Sequence, residues 1–189
     1  MIIIILNIII ILLLFTFFNK YDEKYINYNL KDKKPKKIVS TYFDKTKIPN
    51  KVYKNIKKYA LDYKLLIYDD EEIAKFLNKY YDKKVLNAFL SLNRGAHKAD
   101  LFRYCYLYIN GGLYLDIKIE LIKPLSEIFK NPNILYIPIC ESGKCIFQAV
   151  ISSPKKNPIF LELVDHITKN IEDSKNDHHI FVNHYYQIL

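Results

Sequence analysis

HKADLFRYCYLYINGGLYLDIKIE, residues 97–120, changes its period once, and that change decides the fold. From Ala99 to Tyr108 the side chains of Leu101, Tyr104, Cys105 and Tyr108 recur at helical spacing, and Gly111 and Gly112 stand where a helix C-terminus needs a left-handed residue. Leu113, Tyr114 and Leu115 then form a short apolar, β-prone run. Asp116, Lys118 and Glu120 follow at spacing two, which on a continuing strand puts all three on one face. A helix carrying Asp100 and Arg103, followed by a strand that delivers an acid at its carboxyl end, predicts an α/β protein whose site lies beyond the strand ends.

The flanking sequence supplies elements of the same class. Ile38 to Phe43 reads as a first strand and Leu65 to Tyr68 as a second. Between them Pro49 precedes NKVYKNIKKYALDYK, where Val52, Ile56 and Tyr59 share one helical face. Asp69 and Asp70 end the second strand, and either cap the helix Glu71 to Tyr81 or stand near a bound nucleotide. Val85 to Leu92 reads as a helix, and Asn93-Arg94-Gly95 turns the chain into the central one. Beyond Glu120 come a short helix, Leu125 to Phe129, and strands at Ile134 to Ile139 and Phe147 to Ser152. Pro158 heads a helix Ile159 to Ile171, a place where its missing N–H costs nothing. His178 to Leu189 reads as helical.

Of the 189 residues, about 150 follow the N-terminal segments, room for one domain with a core. With 50% hydrophobic and 15% aromatic residues the chain is not of disordered composition. The formal charge of +9 is local: residues 20–64 hold 14 lysines against 5 acids, while residues 65–189 balance 15 against 15. That excess adjoins residues 2–18, IIIILNIIIILLLFTFF, which sit at the lower edge of a bilayer span and lack a basic n-region and a small-residue cleavage site. Residues 1–19 are therefore expected to be an uncleaved transmembrane signal anchor, 20–35 a basic polar stem, and 36–189 the folded domain. Both a lumenal, Golgi/ER-type face and a cytosolic one stay open. A basic stem beside an anchor faces a membrane surface, so no nucleic-acid partner is expected; a membrane-anchored nucleic-acid-binding protein rests on charge alone. Cys105 reads as a small core residue. Cys140 and Cys145 flank four residues and close a tight loop if the domain lies in an oxidising lumen.

Ala99-Asp100-Leu101-Phe102-Arg103-Tyr104, followed by Gly111-Gly112-Leu113-Tyr114-Leu115-Asp116, resembles the signature of the DXD-containing sugar-transferase family. That family includes yeast-type α-1,6-mannosyltransferases and capsular-polysaccharide transferases, and the catalytic core of the large glucosylating bacterial toxins is similar. Pro35 to Tyr42 resembles the family's first strand and Tyr68-Asp69-Asp70 the acidic turn after its second, so the similarity runs over roughly residues 35 to 165. The resemblance implies a GT-A-type, Rossmann-like nucleotide-sugar-binding domain with a mixed, mostly parallel sheet flanked by helices. It implies transfer of a mannose- or glucose-like hexosyl unit from a nucleotide diphosphate sugar to a glycan, glycolipid or protein acceptor, with Mn²⁺ or Mg²⁺ as cofactor. Asp100, Arg103, Tyr104, Gly112, Tyr114, Asp116, Thr41 and Asp69 are the implied substrate contacts. Relatives carry a further segment on the acceptor side, so a C-terminally truncated domain is expected.

Breaking the donor bond releases an anionic nucleoside diphosphate, so positive charge must face it as the bond breaks. In the family a divalent cation on the aspartate pair does this; here the first acid is Asp116, and the second position is Lys118, which in its charged form ligates no metal. Three readings are open. Lys118 pairs with the diphosphate in place of the cation; or Glu120, one pleat further, joins Asp116 as the metal-binding carboxylate; or transfer is lost and the chain only binds sugar nucleotide or glycan. Asp100 and Arg103 form an intrahelical ion pair worth ~0.2–0.5 kcal/mol, or, as the resemblance implies, bond the sugar hydroxyls and approach the donor. Tyr114 either stacks on the donor or fills the core. His97 is a base, a phosphate partner or only a polar helix-start residue, and His178, His179 and His184 form no clear ligand set.

Overall fold

A computed structural model describes residues 37–131, 133–140, 146–174, 185 and 188. The expected anchor and stem, Cys145, and the three C-terminal histidines His178, His179 and His184 lie outside the described residues. Four strands form one sheet in the order β2-β1-β3-β4: β1 (Lys37–Thr41), β2 (Lys64–Tyr68), β3 (Gly112–Leu115) and β4 (Val150–Ser153). β1 runs parallel to both β2 and β3, and β4 closes the edge antiparallel to β3. This is the mixed, mostly parallel sheet expected.

The helices divide between the two faces. On one, α1 (Asn50–Tyr59) buries Ile56 against Ile38, Leu113 and Leu115. On the other stand α2 (Asp70–Tyr80), α3 (Lys83–Ser91), α4 (Gly95–Asn110) and α6 (Pro158–Lys169), while α5 (Leu125–Ile128) and α7 (Ile171–Ser174) are single turns. Local chemistry starts them. Asp69 accepts from the Glu72 N–H while Glu72 accepts from that of Asp69, a complete capping box. Asp82 caps α3, Asn157 caps α6, and Pro158 takes the first helical position.

Every residue from Ala99 to Leu107 in α4 is buried, Asp100 and Arg103 included. One amphipathic stripe does not produce that; a helix packed on several sides does. The sheet contributes Val39 and Tyr114 to its surroundings, α2 and α3 contribute Phe76 and Phe89, and α6 contributes Phe160. Tyr185 stands edge-on to Tyr104, with centroids 5.5 Å apart, so this C-terminal residue joins the same core. At the helix end, Gly111 has φ 63°, and a Cβ there would stand 2.5 Å from the backbone nitrogen of Lys155. Gly112, at φ 100°, opens β3 directly.

Two expectations fail. Ile134 to Ile139 is not a strand but a series of isolated bridges, among them Tyr136 to Ser152 and Ile139 to Ile146, because Pro138 has no N–H to continue a ladder. The strand expected from Phe147 begins only at Val150, after a turn at Gln148 and Ala149. Of the expected bridge, Cys140 is disulfide-bonded, and Cys105 is a buried free thiol.

Candidate functional site

The carboxyl ends of β1 and β3 lie side by side and carry the site. β3 ends at Leu115, whose carbonyl accepts a 2.5 Å hydrogen bond from the Ser40 hydroxyl on β1. The Asp116 N–H then donates to the Ala149 carbonyl (2.8 Å), adding one rung to the β3–β4 ladder and fixing the backbone that carries the acid.

From there the chain leaves the strand. The Ile119 N–H donates to the Asp116 carbonyl (2.9 Å), closing a turn over Ile117 and Lys118. The shared strand face expected for Asp116, Lys118 and Glu120 therefore does not exist. Asp116 turns toward α4, whereas Lys118 and Glu120 are exposed and line a cavity of about 290 Å³ on the α1 side, with Tyr42, Lys51, Val52 and Asn55.

On the α4 side Arg103 is the hub. Its Nη2 lies 3.0 Å from Asp100 Oδ1 and 3.5 Å from Asp116 Oδ1, its Nη1 donates to the Gln148 carbonyl (2.6 Å), and its Nε to the Ala99 carbonyl (3.3 Å). The guanidinium also sits 4.4 Å above the Tyr114 ring, within cation–π range. Burial works against its charge, but the Tyr114, Asp100 and Asp116 oxygens outweigh it and raise the Arg103 pKa further. Tyr114 donates its hydroxyl to Asp116 Oδ1 (2.7 Å) and lies 3.4 Å from Thr41 Oγ1. Burial pushes the Tyr114 phenol up, which keeps that proton in place.

These contacts sort the sequence-derived residues. The Asp116 side chain is 40% exposed, against 5% for Arg103 and 4% for Asp100, so it is the member of the charged trio that a ligand meets. Asp100 and Arg103 are its buried support. Tyr114 is fully buried and fills the core, orienting Asp116 through its hydroxyl. Tyr104 is equally buried and donates to the Gln148 side chain. Gly112 lies at the opposite end of β3 and serves the backbone alone. Thr41 ends β1 beside Tyr114, Asp69 caps α2, and His97 is buried near the start of α4. Gln148 and Asn55 escaped notice in the sequence: both act across long separations, and no local spacing marks them.

The donor set does not fit a metal cage. Asp116 Oδ1 already accepts from Tyr114 and Arg103, the second acid position of the motif is the cation Lys118, and the turn breaks the face that was to add Glu120. Among the described residues no group of three or more His, Cys, Asp or Glu is placed to hold a metal ion.

Residues 46–135 match the family model described as the glycosyltransferase sugar-binding region containing a DXD motif. An uncharacterised glycosyltransferase of Acanthamoeba polyphaga mimivirus is 28% identical over 131 residues, covering 67% of this chain and 49% of the viral protein. The initiation-specific alpha-1,6-mannosyltransferase of Saccharomyces cerevisiae is 35% identical over 71 residues, 36% of this chain and 15% of the yeast protein. The chain thus spans about half the length of the viral relative or less of the yeast one. Among solved structures the PaToxG glycosyltransferase superposes with a TM-score of 0.58 at 18% identity, over 82% of this chain and 70% of that one, a likeness of fold. The resemblance to DXD-containing sugar transferases, and the α/β fold it implied, are both borne out.

Proposed function

We propose that this chain, which carries the sugar-binding region of the DXD-containing glycosyltransferases, transfers a hexosyl unit from a nucleotide diphosphate sugar to a glycan, glycolipid or protein acceptor. The observation that carries the reading is Asp116: a half-exposed carboxylate at the carboxyl end of a central strand, aimed by Tyr114 and Arg103. It accepts hydrogen bonds from donor hydroxyls. Lys118, exposed on the next turn, supplies the positive charge that the departing diphosphate needs, a role Arg103 cannot fill while its donors hold Asp100, Ala99 and Gln148. Residues 2–18 tether the domain to a membrane.

A panel of nucleotide sugars, read by thermal shift with and without manganese, tests donor binding, because a ligand shifts melting only by binding the folded state. One donor is expected to stabilise the chain. Turnover is expected to survive a chelator and to fall about 10²-fold or more in Lys118→Ala, as when an oxyanion-stabilising donor is removed. Loss of all turnover to the chelator would exclude Lys118 as the cation's replacement. Lys118 at the second acid position also favours a second reading, a donor-binding relative without transfer; a panel with binding but no hydrolysis or transfer would establish it.

A further inference from the structure

We infer that Asn55, on α1, is a positioning residue for the turn that follows Asp116. Its side-chain Nδ2 donates to the Leu121 carbonyl (2.8 Å), and its Oδ1 accepts from the Leu121 N–H (2.9 Å). A primary amide here pairs with both polar groups of one backbone residue, as a neighbouring strand would. Sixty-six positions separate the partners, so the bond ties the far end of the turn to a helix formed early in the chain.

The stretch from Asp116 to Leu121 is consequently held at both ends. Asp116 is fixed at its start by the Ala149 carbonyl, and Leu121, itself buried, is fixed at its finish by Asn55. Between them stand Lys118 and Glu120, exposed and lining the same cavity as Asn55, Lys51 and Val52 of α1. The clasp sets the gap between α1 and the turn, and with it where the Lys118 ammonium can stand. Asn55 touches no reacting atom in this scheme; it acts through Lys118. The inference rests on the reading of Lys118 as the partner of the departing diphosphate.

The full chain, in wild-type, Asn55→Ala and Asn55→Asp forms, supplies the test by three readouts: donor turnover, donor affinity, and amide hydrogen exchange at Ile119 and Leu121. Asn55→Ala is expected to lower kcat about 10-fold or more while donor affinity changes less than about threefold, the pattern of an interaction realised in the transition state. Exchange at Leu121 is expected to quicken while β1 and β3 keep their protection. Asn55→Asp carries its own signature. Its carboxylate still accepts from the Leu121 N–H but faces the Leu121 carbonyl without a proton; once protonated it has donor and acceptor again. Its kcat relative to wild type should therefore climb as pH falls through the carboxyl titration, while that of Asn55→Ala stays low. A purely structural role predicts equal kcat per folded molecule in all three forms and no such pH recovery. Wild-type kcat together with wild-type exchange at Leu121 in Asn55→Ala would overturn the inference. A wild-type chain that turns over no donor would instead sink the transfer reading, and the exchange rates alone would then show whether Asn55 holds the turn.

Discussion

The sheet ends differently on its two faces. On the α4 face Asp116 is gripped by groups that are themselves buried: Arg103 over the Tyr114 ring, and Asp100 paired with Arg103. On the α1 face the same strand continues into an exposed turn, tied back by the amide of Asn55. Burial lowers the effective dielectric and fixes each charge on the first face, whereas water surrounds Lys118 and Glu120 on the second. The molecule thus keeps its orienting charges buried and leaves Lys118 and Glu120 in water. That separation is why a lysine can occupy an acid's position without disturbing the fold.

The largest expected effect is on the buried side. Arg103→Met removes the ion-pair partner of a carboxylate that is 4% exposed, and breaking a buried pair from one side costs about 3–5 kcal/mol. For a chain of this size that lowers the melting temperature by about 10 °C. A second change, Asp100→Leu in the same chain, should return much of it, since the buried carboxylate is then gone. Lys118→Ala, by contrast, should stay within about 0.5 kcal/mol of wild type. Equal melting temperatures for Arg103→Met and Lys118→Ala would erase the distinction between the faces.

A smaller effect tests the hydroxyl between them. The Tyr114 phenol is raised by burial above its ordinary value of 10.0, as are those of Tyr104 and Tyr185. Below the unfolded value both states hold the proton and stability is complete; as pH climbs past it, the unfolded chain ionises first and stability is lost. Tyr114→Phe should make that alkaline loss shallower by one proton. At neutral pH it should cost roughly 0.5–1.5 kcal/mol for the lost bond to Asp116, with a larger relative fall in turnover as the carboxylate loses its aim. Urea unfolding at pH 7 and above pH 10 measures both. An unchanged alkaline slope would mean that this phenol ionises as readily in the folded chain as in the unfolded one.

Much of the fold was legible because its signals are local. The glycine pair after α4, the proline at the head of α6 and the acid at the head of α2 each meet a requirement of the neighbouring backbone, and residue type alone marks them. The site was half legible. The sequence brought Asp116, Arg103 and Asp100 together, but an i, i+3 ion pair has the same spacing on a wet helix as on a buried one; burial came from α6 and the sheet, which no window around Arg103 contains. The turn after Asp116 was hidden for a related reason. Alternating residues look alike whether the strand runs on or folds back, and the bonds that hold the two ends of the turn come from Ala149 and Asn55, far away in the chain.

The smallest expected effect on function concerns Asp69, which the sequence left divided between a helix cap and a place beside a nucleotide. Its carboxylate accepts from the Glu72 N–H at 2.9 Å and lies 3.7 Å from Lys45, which also pairs with Glu72. Those contacts are local, and the side chains involved are about one-third to two-fifths exposed, so Lys45 adds little beyond the cap itself. Asp69→Ala should cost about 0.5–2 kcal/mol, the usual loss for an N-cap, and Asp69→Ser should restore most of it because a hydroxyl accepts the same bond. Donor affinity should be the same in all three forms once the folded fraction is matched. If Asp69→Ser regains stability but not affinity, the carboxylate has a second task that the cap conceals, and the α4 face reaches along the strand ends as far as β2.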